Sequence, residues 1–210
     1  PIGTETSPII QYYLSMGWQD QAKQCIQYFL DKQQESGLIQ NFGHYMVETG
    51  GALWAMGEYY RYTKDRVWAI KNKEKIIRSV NYLLNWRNDN KEDSLVNRGY
   101  GMIRGKVADP PDHFHQYMLN GYAYLGVKRI AEVYADIDPK LSQDLFNEAE
   151  AWKSDILASF KYSLAHSPVV PLGDGTWCPT APPWTELVGP RSLYLEPDAY
   201  YSHGTFLVPD

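Results

Sequence analysis

The sequence predicts an all-α chain in which helical hairpins follow one another and curl into an α/α toroid. Three observations predict it. Apolar residues recur at helical spacing through nearly all of the first 166 residues. More apolar helices alternate with more polar ones. Short turns alternate with connections far longer than the usual helix-to-helix loop of about 2–8 residues. In an up-down helical array alternate loops fall at opposite ends, so the long connections share one rim and the short turns the other. A helix that is apolar nearly all round must be buried by its neighbours, which puts the apolar members inside and the polar members outside. About three hairpins are present, too few to close a ring. The chain therefore reads as a single toroid domain, residues 1–210, that is part of a larger one.

Each element has its own signals. Ile9, Tyr12, Tyr13 and Met16 mark a short helix that stops at Gly17. Ala22, Cys25, Ile26, Phe29 and Leu30 form the stripe of an amphipathic helix that dies at Ser36 and Gly37. Residues 47–63, with Ala52, Leu53, Ala55, Met56, Tyr59 and Tyr60, leave little wet face and read as a buried helix. Its polar partner runs over 65–87 through Val67, Ile70, Ile76, Ile77, Val80, Leu83 and Leu84, with Asp65 as N-cap. The third pair covers 114–136 (Met118, Tyr122, Leu125, Ile130) and 139–166 (Leu141, Leu145, Phe146, Trp152, Ile156, Leu157, Phe160). The tight turns at 17–20, 63–65 and 136–138 each place an Asp, namely Asp20, Asp65 and Asp138, as a cap. The long connections are 34–46, 88–112 and the Pro- and aromatic-rich loop region 167–210.

Composition narrows the function. Twenty basic and twenty-five acidic residues give a net charge of -5, without the Lys/Arg stripe that neutralises phosphates, so nucleic acid is not the expected partner. No apolar stretch approaches the roughly 18 residues of a membrane span, so no membrane partner is expected either. Cys25 and Cys178 have no Cys or His near them at ligand spacing, so neither a zinc site nor a disulfide framework is expected, and the sequence suggests no other metal or cofactor. Aromatic residues reach 14 %, which suits packed helices and equally suits flat, hydroxyl-rich ligands such as sugars. The chain opens at Pro1 without Met or a signal-like segment and reads as a cut or processed product, which leaves its localisation open.

The long connections carry the candidate site. The first brings Asn41, His44, Tyr45 and Glu48 to the start of an apolar helix, with Gly50 and Gly51 permitting close approach. Glu48 reads either as a ligand-facing carboxyl or as a first-turn acid that favours the helix dipole. The second connection carries Arg98, Tyr100, Arg104, Asp109, Asp112 and His113. Two prolines follow Asp109 and restrict its backbone, as a catalytic carboxyl requires, although Asp109 also fits a turn acid and Asp112 an N-cap. In the third, Trp177 and Trp184 lie in a proline-stiffened stretch and fit an aromatic wall or a cover for the core.

The stretch Glu48-Thr49-Gly50-Gly51-Ala52-Leu53-Trp54-Ala55-Met56-Gly57-Glu58-Tyr59-Tyr60, continuing to Asp65, resembles the inner-helix segment of six-hairpin glycosidases. These are the (α/α)6-barrel glycoside hydrolases, with glucoamylase-like, trehalase-like and rhamnosidase-like members. The likeness covers most of the first 166 residues. It implies a six-hairpin barrel of which about half is present, and a carbohydrate substrate. In several of those families a Gly-x-x-Asp loop before an inner helix supplies the general acid, and Gly105-Lys106-Val107-Ala108-Asp109 is similar in kind. The resemblance thus makes Asp109 the candidate acid, with Glu48 as the other catalytic candidate and a partner carboxylate often arriving from a later hairpin.

Glycoside cleavage needs one carboxyl to protonate the leaving oxygen and another to activate water or attack directly. The reading is a glycoside hydrolase acting on an oligo- or polysaccharide. His44, Tyr45, Tyr100, Arg104, Asp112 and His113 would bind sugar hydroxyls, and Trp177 or Trp184 would stack on a ring. Two rivals stay open: a non-catalytic toroid module that binds a carbohydrate or protein on the same rim, and a polysaccharide lyase using a Tyr or His base with Arg98 and Arg104 against a uronate.

Overall fold

A computed structural model describes residues 3–41, 44–107 and 113–186, with side chains from Thr6 onward. Within these the chain is predominantly α-helical: α1 Gly3–Ser15, α2 Gln19–Asp31, α3 Glu48–Thr63, α4 Arg66–Lys71, α5 Lys73–Asp89, α6 Tyr117–Tyr134 and α7 Pro139–His166. A 3₁₀ turn, Asp93–Leu95, interrupts the second long connection. After α7 two short antiparallel strands, β1 Val169–Pro171 and β2 Trp177–Pro179, pair with Val170 opposite Cys178.

The short turns follow local chemistry. Gly17, at φ 76°, ends α1 in a Schellman arrangement: the N–H of Gly17 bonds the Leu14 carbonyl and that of Trp18 the Tyr13 carbonyl. The turn is so tight that Trp18 itself is the cap residue of α2. Asp20, expected as the cap, therefore lies one residue inside the helix and acts on its dipole instead. At the other two turns the expected caps form: Asp65 Oδ1 accepts from the Trp68 N–H at 2.9 Å, and Asp138 Oδ1 from the Leu141 N–H at 3.1 Å.

Four features differ from the sequence reading. Helix α2 ends at Asp31, short of the stop expected at Ser36 and Gly37, because residues 34–38 close a turn of their own in which the Gln34 N–H bonds the Leu38 carbonyl at 2.9 Å. The helix expected over 65–87 breaks at Asn72, whose side-chain amide reaches back to the Trp68 carbonyl at 2.9 Å, so that α4 ends and α5 begins there. The third apolar helix starts at Tyr117 rather than at 114, because Phe114 and Gln116 are held in bridges to Gly105 and Trp184. The loop region after His166 contains the β1–β2 hairpin.

Helix α3 is the centre of the packing. Twelve of its sixteen residues are buried, and it touches α1, α2, α5 and α6. Its widest contact is with α6, and glycines set its closeness: a Cβ on Gly50 would lie 2.7 Å from the Ala123 nitrogen, and one on Gly126 2.7 Å from the Gly50 oxygen. Gly50 meets Tyr122 and Ala123, Leu53 meets Gly126, and Gly57 meets Arg129, so the two helices run parallel. Their N-termini, and the long connections that precede them, therefore lie at the same end of the molecule.

Candidate functional site

The two ends of the bundle differ in character. The short-turn end is tied by charge. Glu58 is buried and takes Arg61 Nη1 at 2.8 Å and Arg129 Nε at 2.6 Å. Burial alone would raise its carboxyl, but the two guanidiniums outweigh that and hold it below the ordinary glutamate range. Asp65 joins Lys23 at 2.7 Å and the Tyr59 hydroxyl at 2.8 Å, and Arg66 bonds the Asp136 carbonyl at 2.9 Å. These groups are consumed in holding turns together.

At the opposite end the long connections are stitched side by side through their backbones. The first meets the second where the Met46 N–H donates to the Lys106 carbonyl at 2.9 Å. The second turns back on itself where Gly105 pairs with Phe114 and Arg104 Nε donates to the His113 carbonyl at 2.6 Å. The third joins through Gln116 and Trp184, through the Tyr117 N–H on the Pro183 carbonyl at 3.0 Å, and through the Thr185 N–H on the His115 carbonyl at 3.2 Å. Asn120 anchors this rim to the core: it exchanges two bonds with Ile103, at 2.8 and 2.9 Å, donates to the Gln116 carbonyl and accepts from the Trp152 indole at 3.0 Å.

The sequence-predicted site residues divide as follows. Glu48 is fully buried in the first turn of α3, and its Oε2 accepts the backbone N–H of Asn41 at 2.8 Å and the Asn41 side-chain amide at 3.2 Å. It therefore closes the first connection as well as sitting on the helix dipole. His44 is exposed in left-handed backbone at φ 61°, and Tyr45 is half-buried beneath Lys106, whose Nζ lies 5.6 Å from the ring centre. Tyr100 is half-buried, while Arg104 and His113 are exposed on the rim. Trp184 is closed off, stacked on Phe114 at 4.8 Å, whereas Trp177 stands 65 % exposed on the β1–β2 hairpin. Asp109 and Asp112 lie outside the described residues.

A further cluster on this rim escaped the sequence reading. Glu186 Oε1 lies 2.6 Å from His115 Nδ1, and its two oxygens are 3.1 and 3.2 Å from the His115 backbone N–H. The other ring nitrogen faces Asn90 Oδ1 at 3.2 Å. Burial works to raise the Glu186 carboxyl, but the His115 ring and N–H hold it below the usual range. Nearby Tyr117, bonded to Ser163 at 3.0 Å, is pushed up to about 12, chiefly by burial. The partners lie 71 residues apart in sequence, so no local spacing could have revealed them.

An open groove of about 810 Å³ lies elsewhere, between α4–α5 and the start of α7, and contains none of the predicted site residues. Among the described residues no group of three or more His, Cys, Asp or Glu side chains is placed to hold a metal ion, and no helix is long and apolar enough to cross a membrane. Comparison with protein-family models, curated proteins and solved structures gives no match for this chain.

Proposed function

We propose that this chain is part of an α/α-toroid glycoside hydrolase whose substrate, an oligo- or polysaccharide, binds across the long-connection rim. The observation that supports this most is the Met46–Lys106 backbone bond. It brings the start of α3, with Glu48 two residues on, against the stretch that leads three residues later to Asp109. Asp109 is assigned the general acid. Tyr45, Arg104 and His113 supply the hydrogen-bonding and ring surfaces that sugar hydroxyls need.

A second reading, a carbohydrate-binding module without turnover, is favoured by one observation. The Glu48 carboxylate is wholly covered and already accepts from Asn41, an arrangement suited to positioning more than to proton transfer in solvent reach. The two readings separate on a panel of oligosaccharides assayed for both binding and new reducing ends. The hydrolase reading expects product, with turnover falling about 10²-fold or more in Asp109→Asn. Undiminished turnover in that variant would remove Asp109 from the mechanism, and binding without product would establish the module.

A further inference from the structure

We propose that Glu186 is a positioning residue that pins the rim segment carrying Arg104 and His113, an inference that takes its functional meaning from the carbohydrate-binding reading above. Three stretches of chain lie side by side here. Residues 104–105 pair with 113–114, and residues 114–117 pair in turn with 183–186. Glu186 fastens the outer edge of this small assembly.

The fastening is dense. The carboxylate meets the His115 ring at 2.6 Å and the His115 N–H at 3.1 and 3.2 Å, and it receives the Thr185 hydroxyl at 3.1 Å. A carboxylate only accepts, so His115 presents Nδ1–H to it. On the far side Asn90 donates its amide nitrogen to the Trp86 carbonyl at 2.8 Å, which turns Oδ1 toward His115 Nε2. The ring is thus fixed through Nδ1, and His115 as a whole is 5 % exposed. Without the carboxylate, the buried backbone N–H of His115 would lose its acceptor.

The stretches that Glu186 joins directly, 113–116 and 183–186, are also separable from the helical core. Trp184 packs on Phe114 but is not among the residues of the main hydrophobic cluster, which is built from α1 to α7 and the 103–107 stretch. Loosening Glu186 should therefore free the rim while the α3–α6 contact stays intact.

The test compares wild type, Glu186→Gln and Glu186→Asp in the full protein by amide hydrogen exchange and by the NMR resonance of the His115 Nδ1 proton. The Gln variant should exchange about tenfold faster at Gly105, Tyr117 and Thr185, with Leu53 and Val127 unchanged. Its Nδ1 proton signal should also move upfield, because a neutral amide oxygen is a weaker acceptor than the carboxylate, and the Asp variant should recover part of both effects. Unchanged exchange at Gly105 and Tyr117 would overturn the proposal. So would an acceleration spread equally through α3 and α6, which would make Glu186 a general stability residue. Wild-type binding to an oligosaccharide array is read separately and judges the carbohydrate reading alone. Where wild type binds, the Gln variant should bind at least several-fold more weakly, and equal binding would also overturn the positioning role.

Discussion

Asn120→Ala is the perturbation that most directly probes how the rim is attached to the helices. Asn120 is fully buried, and its Oδ1 is the acceptor for two donors, the Ile103 backbone N–H at 2.8 Å and the Trp152 indole N–H at 3.0 Å. Ile103 and Trp152 are themselves fully buried, so water cannot replace the lost oxygen without opening the structure. A buried donor left without a partner costs about 1–3 kcal/mol, so two give roughly 2–6 kcal/mol, with about 4 as the central value. That is a large share of the roughly 5–15 kcal/mol that stabilises a domain. Urea unfolding followed by far-ultraviolet circular dichroism and by tryptophan fluorescence gives the difference directly, with the exposed Asn147→Ala on α7 as a control expected within about 0.5 kcal/mol of wild type. An Asn120→Ala loss under about 1 kcal/mol would refute the claim that this side chain joins the second connection to α6 and α7.

Two further perturbations test the packing and the charged end. Gly50→Ala should destabilise by about 1–3 kcal/mol, because its new methyl meets the Tyr122 and Ala123 backbone at 2.7 Å, while Gly121→Ala, with open space around it, should be neutral or stabilising by up to about 1 kcal/mol; thermal melts of both variants check the contrast. Glu58→Gln should cost roughly 1–3 kcal/mol at pH 7 by weakening the bonds to Arg61 and Arg129. The folded-state carboxyl of Glu58 is depressed, so its contribution is present above the ordinary glutamate range near ~4.3 and is lost as pH falls through the lower folded value. The gap between wild type and the Gln variant should therefore narrow below about pH 4 in urea midpoints measured at pH 7, 4 and 3, and a gap that stays constant would contradict the assignment.

What was legible in the sequence was whatever local chemistry decides. The bounds of α7 follow from Asp138 capping Leu141 and from Pro139 in the first turn, and α3 reads as buried because its polar positions are few. The break at Asn72 depends on a side chain turning back on its own helix, which apolar spacing does not encode. The late start of α6 was hidden because Phe114 and Gln116, helical by pattern, are claimed by Gly105 and Trp184 from elsewhere in the chain. For the site, Glu48 was visible as a first-turn acid, yet its bond to Asn41 was not. His115 and Glu186 had no visible relation, since only the folded rim brings them together. The stacking of Trp184 on Phe114 is likewise a tertiary choice between the two roles its sequence context allowed.

The central claim, that the long-connection rim cleaves a carbohydrate with Asp109 as acid, is tested most directly by the release of reducing ends from an oligosaccharide panel. The protein that carries this chain is assayed as wild type and as Asp109→Asn, with folding of both confirmed by circular dichroism. The account predicts turnover of at least one oligosaccharide by wild type and a loss of about 10²-fold or more in the variant. No turnover by wild type on any member of the panel, or equal turnover by both proteins, would contradict it.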